Sequence, residues 1–236
     1  MAEMTAHTVK SFDDDLSHLR SLISEMGGVC EAQIVAAIDA LSSRNADAAL
    51  AVAANDKRID DLEAQVEALA IKIIALRAPM ADDLREIVAA LKIAAVLERI
   101  GDYAKNIAKR ASALAQSARI EPVVIIPEMA RLVATMVKDV LDAFVDRNAD
   151  QAIEVWARDQ RVDDYYNSLF RSLLTFMMEN PQHITPSTHV LFVAKNLERI
   201  GDHATNVAEM VHFAVTGQHI GDRPKTDDTA LYTTGS

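Results

Sequence analysis

The sequence predicts an all-α protein made of two tandem, internally duplicated three-helix bundles, six long helices in all. Three observations predict it. Half of the 236 residues are hydrophobic, yet there are only 7 Gly, 6 Pro and 5% aromatics, a mixture that favours helices over a sandwich or barrel. Apolar residues recur at spacings of three and four, as Ile59, Leu62, Val66, Leu69, Ile73 and Leu76 do, which is the period of a one-faced helix. Landmark residues also return, in order, about 100 positions later.

The repeat is specific. Arg44-Asn45-Ala46-Asp47 recurs as Arg147-Asn148-Ala149-Asp150, an offset of 103. At the same offset Asp56, Arg58, Asp60 and Asp61 recur as Asp159, Arg161, Asp163 and Asp164. Leu97-Glu98-Arg99-Ile100-Gly101-Asp102 recurs as Leu197-Glu198-Arg199-Ile200-Gly201-Asp202 at an offset of 100. The first copy therefore carries three extra residues between the landmarks, in an inter-helix turn near Arg77 to Asp83.

Taken in order, the helices of the first copy span residues 8–43, 47–76 and 81–117. Those of the second span 127–146, 150–179 and 187–216. The first bundle occupies residues 8–120 and the second 124–217, and a polar, flexible tail fills 218–236. Gly27-Gly28 predict a kink in the first helix. Asn45 or Asp47, and Asn148 or Asp150, cap the middle helices. Pro79 and Pro181 belong to the turns before the third helices. Thr185-Pro186 read as a cap and first helical residue, and Glu121-Pro122 and Pro127 mark the link between copies. Trp156 and Met177-Met178 are expected in the core. Short turns make neighbouring helices antiparallel.

The formal charge of -11 repels nucleic-acid phosphates and anionic membrane surfaces. It leaves metal cations and basic protein patches as natural partners. Cys30 is the only cysteine, so neither an intrachain disulfide nor a multi-thiolate metal site is available. No signal pattern opens the chain, and no apolar run approaches about 18 residues. A cytoplasmic protein without a transmembrane helix is the expectation.

The candidate site comes from carboxylates four residues apart, which share a helix face. The pairs are Asp56/Asp60 and Glu98/Asp102 in the first copy, Asp159/Asp163 and Glu198/Asp202 in the second. Ile87, Leu91 and Ala94 lead along the helix to Glu98 and Asp102, so these carboxylates continue an apolar stripe. Two readings fit. The pairs could be solvated acidic faces, neutralised by Arg58, Arg99, Arg161 and Arg199. They could equally converge on a cation that relieves their repulsion, one site per bundle. All-oxygen ligands suit magnesium, manganese, iron, zinc or calcium. Gly101 and Gly201 leave room beside the motif, and Asn106 and Asn206 lie on the same face as supports for the ligands. Glu63 and Glu67 are read as surface residues, since Tyr166 and Phe170 replace them. His203, where the first copy has Tyr103, reads as a partly buried helix histidine more than as a ligand.

Catalytic signatures are missing. There is no Gly-x-x-x-x-Gly-Lys, Gly-x-Ser-x-Gly, His-Glu-x-x-His or Gly-x-Gly-x-x-Gly. A ferritin-like di-metal bundle needs two Glu-x-x-His motifs. Only Glu209 and His212 fit, with Lys109 and Ser112 as their first-copy counterparts.

The doubled Leu-Glu-Arg-Ile-Gly-Asp, Met26-Gly27-Gly28 and the Asp-x-x-x-Asp of both second helices closely resemble the PhoU family, over residues 12–216. That family comprises accessory and regulatory proteins of phosphate-specific transport. The resemblance implies two three-helix bundles in a cytoplasmic, often homodimeric protein that is not an enzyme. It implies negative regulation of the phosphate-starvation response. The implied partners are a phosphate-sensing histidine kinase and the ATPase subunit of the phosphate ABC transporter, so membranes are reached only through partners. It also implies multinuclear metal clusters at Asp56, Asp60, Glu98, Asp102, Asp159, Asp163, Glu198 and Asp202. A metal-dependent enzyme or a metal store on the same bundle is the alternative.

Overall fold

The computed structural model describes residues 2–54, 57–117 and 121–221. Its helices are α1 (Ala2–Ser43), α2 (Ala46–Ala54), α3 (Lys57–Arg77), α4 (Ala81–Ala115), α5 (Ile126–Val145), α6 (Ala149–Ala157), α7 (Asp159–Glu179) and α8 (Ile184–Thr216). Short 3-10 turns at Glu121–Ile125 and Pro181–His183 precede α5 and α8. No strand occurs among the described residues. The element order of α1–α4 repeats in α5–α8, as the duplication requires.

The turns show why the repeat folds twice alike. Arg44 and Arg147 both take left-handed backbone, with φ of 55 and 52. The next N–H reaches back to close the helix end, Asn45 to Ala40 O at 3.0 Å and Asn148 to Ala143 O at 2.9 Å. The same asparagines then cap the following helix, accepting from Ala48 N at 3.0 Å and Gln151 N at 3.1 Å. The capping residues are therefore the asparagines, with Asp47 and Asp150 in the first turns.

The expected middle helix of the second copy is two segments, α6 and α7, while residues 55–56 between α2 and α3 lie outside the described residues. In the second copy the joint is Arg158, where i to i+3 bonds replace the α pattern: Arg158 N to Val155 O and Arg161 N to Arg158 O, both 3.0 Å. The Arg158 guanidinium pairs with Asp139 on α5. The pattern of apolar residues continues through the joint, so periodicity alone does not reveal it. The three extra residues of the first copy are 78–80, between α3 and α4; Ala78, the first of them, and Ala81, which follows them, take positive φ.

Helices α1, α4, α8 and α5 pack in a closed ring, α1 on α4, α4 on α8, α8 on α5 and α5 on α1. Helices α2 and α3 flank the first pair, α6 and α7 the second. One hydrophobic core runs through both copies. Facing positions of α4 and α8 match at the offset of 100: Leu97 with Leu197, Ile100 with Ile200, Ala104 with Ala204, Ala108 with Ala208, all fully buried. A clasp crosses the halves. Glu86 on α4 is 3% exposed and lies 2.6 Å from Arg20 of α1 and 2.9 Å from Arg147 of the α5–α6 turn.

Several local expectations are corrected. Asn180, not Thr185, caps the approach to α8, accepting from Gln182 N at 2.9 Å; Thr185 and Pro186 lie inside the helix. Leu76 is exposed, and Ala70 takes a place in the core stripe. Trp156 is half-buried and Met178 is 86% exposed, while Met177 packs on the core. By length and composition alone a window within Ser11–Ser43 is apolar enough to cross a membrane, as a core helix of a bundle also is, and half of it is buried inside the bundle. Of the residues after α8, Gln218 accepts from His212 Nδ1 at 2.9 Å and His219 stacks on Phe213 at 4.7 Å; residues 222–236 lie outside the described chain.

Gly27-Gly28 do not interrupt α1. A Cβ on Gly27 would meet Leu141 Cδ1 of α5 at 1.9 Å, whereas one on Gly28 meets nothing within 4 Å. Gly27→Ala should destabilise by roughly 1–3 kcal/mol through overpacking. Gly28→Ala should stabilise by roughly 0.5–1 kcal/mol through helix propensity. Denaturant melts of the two variants check this, and shifts of equal sign would refute the assigned packing.

Candidate metal centre

The carboxylate helices meet because glycine stands where they touch. A Cβ on Gly101 would lie 2.5 Å from Ile59 Cδ1, and one on Gly201 would lie 3.2 Å from Val162 Cγ1. Ile59 immediately precedes Asp60, and Val162 immediately precedes Asp163. The close approach of α3 to α4 sets Asp60 beside Glu98 and Asp102. That of α7 to α8 sets Asp163, with Asp159 one turn earlier, beside Glu198 and Asp202.

In the second copy the other three expected residues all act on Asp202. The Asp202 carboxyl is raised from 3.8 to about 7, first by desolvation, then by repulsion from Glu198, Asp159 and Asp163, with Lys195 pulling it down. Asp202 keeps an open surface, so carboxylate crowding deserves more weight here than burial. Glu198 accepts from Lys195 Nζ at 2.7 Å through Oε1, and its buried Oε2 has no hydrogen-bond partner. Asp159 is buried at the start of α7, where the helix N-terminus favours a negative charge.

In the first copy Glu98 is raised by desolvation, then by Asp102, with Glu63 and Asp60 adding repulsion and Arg99 opposing it. Glu63 is raised in turn by desolvation, Glu67 and Asp60. Glu63 thus belongs to the cluster and is not a bystander; its spacing of three from Asp60 was the signal for it. Lys195, three residues before Glu198, was equally readable. Asp56 lies outside the described residues. Arg99 reaches Glu98 at 3.6 Å and Lys105 reaches Asp102 at 4.0 Å. Arg58 pairs with Glu25, and Asn106 and Asn206 are exposed.

The donor chemistry fits a hard or borderline cation: carboxylates from two helices, an unpartnered buried oxygen on Glu198, and mutual repulsion that a cation would relieve. Among the described residues, no three His, Cys, Asp or Glu side chains stand close enough together to hold a metal ion as placed, so the carboxylates would have to draw in around one. His203 is half-buried and stacks on Tyr103, with ring centroids 5.5 Å apart. These equivalent positions meet where the two copies face each other. Cys30 donates to Leu97 O at 3.3 Å, and burial pushes its thiol up to about 12, so it is a core residue. Glu209 accepts from Trp156 Nε1 at 3.0 Å and His212 Nδ1 donates to Gln218 O, so the half motif of a ferritin-like centre is engaged elsewhere.

The PhoU domain description matches the chain twice, over residues 23–111 and 126–211. The chain belongs to the PhoU family. A phosphate-specific transport system accessory protein PhoU homolog of Zymomonas mobilis is 50% identical over 227 residues, 96% of each chain. One of Caulobacter vibrioides is 50% identical over 95% of this chain and 98% of its own. The crystal structure of PhoU from Pseudomonas aeruginosa superposes with a TM-score of 0.83 at 36% identity, covering 88% of this chain and 100% of that one. The PhoU regulatory protein of Streptococcus pneumoniae gives 0.83 at 27% identity over 89% and 99%. Each match to the PhoU domain holds one carboxylate set.

The raised Asp202 carboxyl makes a pH prediction for metal-free protein. Folded Asp202 holds its proton up to about 7 and the unfolded group releases it near 3.8. The folded state binds more protons in between, so its stability falls as pH rises through that window. Solvent exposure damps the size. In chelator, the melting temperature of wild type should fall between pH 4 and pH 7 relative to Asp202→Asn. Parallel profiles would show that Asp202 titrates normally.

Proposed function

We propose that this PhoU-family chain is an adaptor that restrains phosphate uptake and the phosphate-starvation response. It works in the cytoplasm as a homodimer, between the ATPase subunit of the phosphate ABC transporter and a phosphate-sensing histidine kinase, and it is not an enzyme. The observation that carries this reading is the 50% identity, over 96% of both chains, to a relative named as an accessory protein of phosphate-specific transport. The surface suits the role. Apolar side chains stand exposed at both bundle ends: Leu76 and Met80 (79% exposed) where α3 meets α4, Met178 and Ile184 where α7 meets α8. Such residues become buried when a partner docks.

In this reading the carboxylates hold metal ions: iron, zinc, manganese or magnesium, singly or as multinuclear clusters. Asp56, Asp60, Glu98 and Asp102 serve the first half, Asp159, Asp163, Glu198 and Asp202 the second. The metal neutralises the crowded carboxylates and ties α3 to α4 and α7 to α8.

Two measurements check these roles. Protein purified without chelator should carry metal by elemental analysis, and Asp102→Ala with Asp202→Ala should carry much less; equal loading would remove these residues as ligands. Deleting the gene with phosphate plentiful should switch on starvation genes or release phosphate uptake. Met80→Glu with Met178→Glu should reproduce that phenotype while the protein stays folded and metal-loaded. A deletion without effect on either readout, no paralogue being present, overturns the adaptor reading.

A further inference from the structure

Exposed apolar side chains are not spread evenly over the molecule. Ile71, Ile74 and Leu76 of α3, Met80 of the turn, and Leu84 and Val88 of α4 all stand exposed within residues 71–88. Most of them fall on two stripes. On α3, Glu63, Glu67, Ile71 and Ile74 follow one another at spacings of four, four and three. On α4, Leu84, Val88, Leu91, Ala95 and Glu98 do so at four, three, four and three. Residues so spaced share a helix face. The short turn at 78–80 makes α3 and α4 antiparallel neighbours that pack on each other. Glu63 acts on Glu98 across the two helices, so both stripes border the seam between them. The seam is apolar toward the turn and acidic toward the middle of the bundle.

The fold itself does not need this surface. The core side of α3 is carried by Leu62, Val66, Ala70 and Ile73. Contiguous apolar surface left in water marks a place where a partner docks, and charge narrows the partner. Glu63 and Glu67 repel each other, with Arg99 opposing at Glu63. At the turn, Arg77 is taken by Asp15 and Arg85 by Asp82. The second copy has the same apolar end, with Leu174 and Ile184 exposed, but a different charge beyond it. Tyr166 and Phe170 replace the two glutamates and stack 6.4 Å apart. Lys195 replaces Ala95 and lies 5.1 Å from the centroid of the Tyr166 ring. Only the seam of the first copy therefore joins apolar side chains to Glu63 and Glu67.

We propose that the seam between α3 and α4 docks a basic amphipathic helix of a partner protein. The apolar face of that helix covers Ile71, Ile74, Leu84 and Val88, and its lysines or arginines face Glu63 and Glu67. From Glu63 to Ile74 the seam runs about 17 Å, the length of about three helical turns. A helix in a groove is recognised by apolar anchors at spacings of three and four. Complementary charge sets its direction and speeds encounter, and the net charge of -11 adds to the attraction. The inference deepens the adaptor reading and rests on it only for the existence of a partner protein. It needs no metal, since neither Glu63 nor Glu67 is among the proposed ligands.

The test is fluorescence anisotropy of a labelled synthetic peptide, titrated with full-length protein as purified. The peptide has about three to four helical turns, with leucines at helical spacing toward one end and lysines toward the other. Wild type should bind it, and more weakly as salt rises. Ile71→Ser with Val88→Ser should weaken binding roughly tenfold. Glu63→Gln with Glu67→Gln should weaken it similarly and flatten the salt dependence. Leu174→Ser, at the position equivalent to Ile71, should leave it unchanged, with circular dichroism confirming the helix content of each variant. A peptide of the same composition in scrambled order that binds equally well shows general attraction to an acidic protein and overturns the inference. Seam variants that bind like wild type overturn it too. If Ile71→Ser with Val88→Ser converts a wild-type dimer to monomer in sedimentation velocity, a second copy covers the seam and the inference is again overturned. Peptide binding lost in the seam variants stands even where gene deletion changes neither starvation genes nor uptake, a result that sinks the adaptor reading alone. A deletion phenotype without peptide binding at the seam sinks this inference alone.

Discussion

At Gly101 the α3 helix comes so close to α4 that a single methyl group would meet Ile59 at 2.5 Å, and Gly201 makes a similar, looser allowance for Val162. Glycine in a helix interior costs about 1 kcal/mol against alanine, so it must be offset by something the close approach makes possible. Packing is part of that, since Ile59, Val162 and their neighbours enter one continuous core. The other part is electrostatic and unfavourable on its own. The approach forces Asp60 toward Glu98 and Asp102, and Asp159 and Asp163 toward Glu198 and Asp202. The apolar packing holds together charges that would otherwise separate.

The sequence made the fold legible because its signals agreed with each other. The duplication located Arg44 and Arg147 before their left-handed turns were visible, and the asparagines after them were readable as caps. The break in the middle helix of the second copy was hidden, because Arg158 stays within a helical backbone conformation and the apolar period continues across it. The exposed end of α3 was hidden for a related reason: Leu76 keeps the spacing of the stripe but lies beyond the point where α1 and α4 cover it. Spacing reports which face a residue shares, not how far along the helix that face remains covered.

The site was legible to a similar depth. Spacing of four paired the carboxylates within each helix, and the structure brings the pairs of α7 and α8 together across helices. Glu63 was passed over because the second copy replaces it with Tyr166, and a duplicated position that changes type looks free to vary. The helical spacing from Asp60 carried its signal, whereas its closeness to Glu98 across helices is tertiary and no one-dimensional period contains it.

The clasp at Glu86 shows the same limit on a larger scale. Pro186 stands at its duplicated position, so the second half has no equivalent carboxylate. The two left-handed arginines consequently perform different tasks. Arg44 stays within its own copy and donates to Ala115 O at 3.1 Å and to Ser117 O, closing the end of α4. Arg147 turns across the boundary to Glu86, which Arg20 also engages. Removing one partner of a buried charge network costs far more than the network contributes net, so its effect is to fix which surfaces of the two copies meet. A chain duplicated in sequence thus becomes asymmetric in its charges, with one carboxylate of the first copy binding the halves together and no counterpart of it in the second.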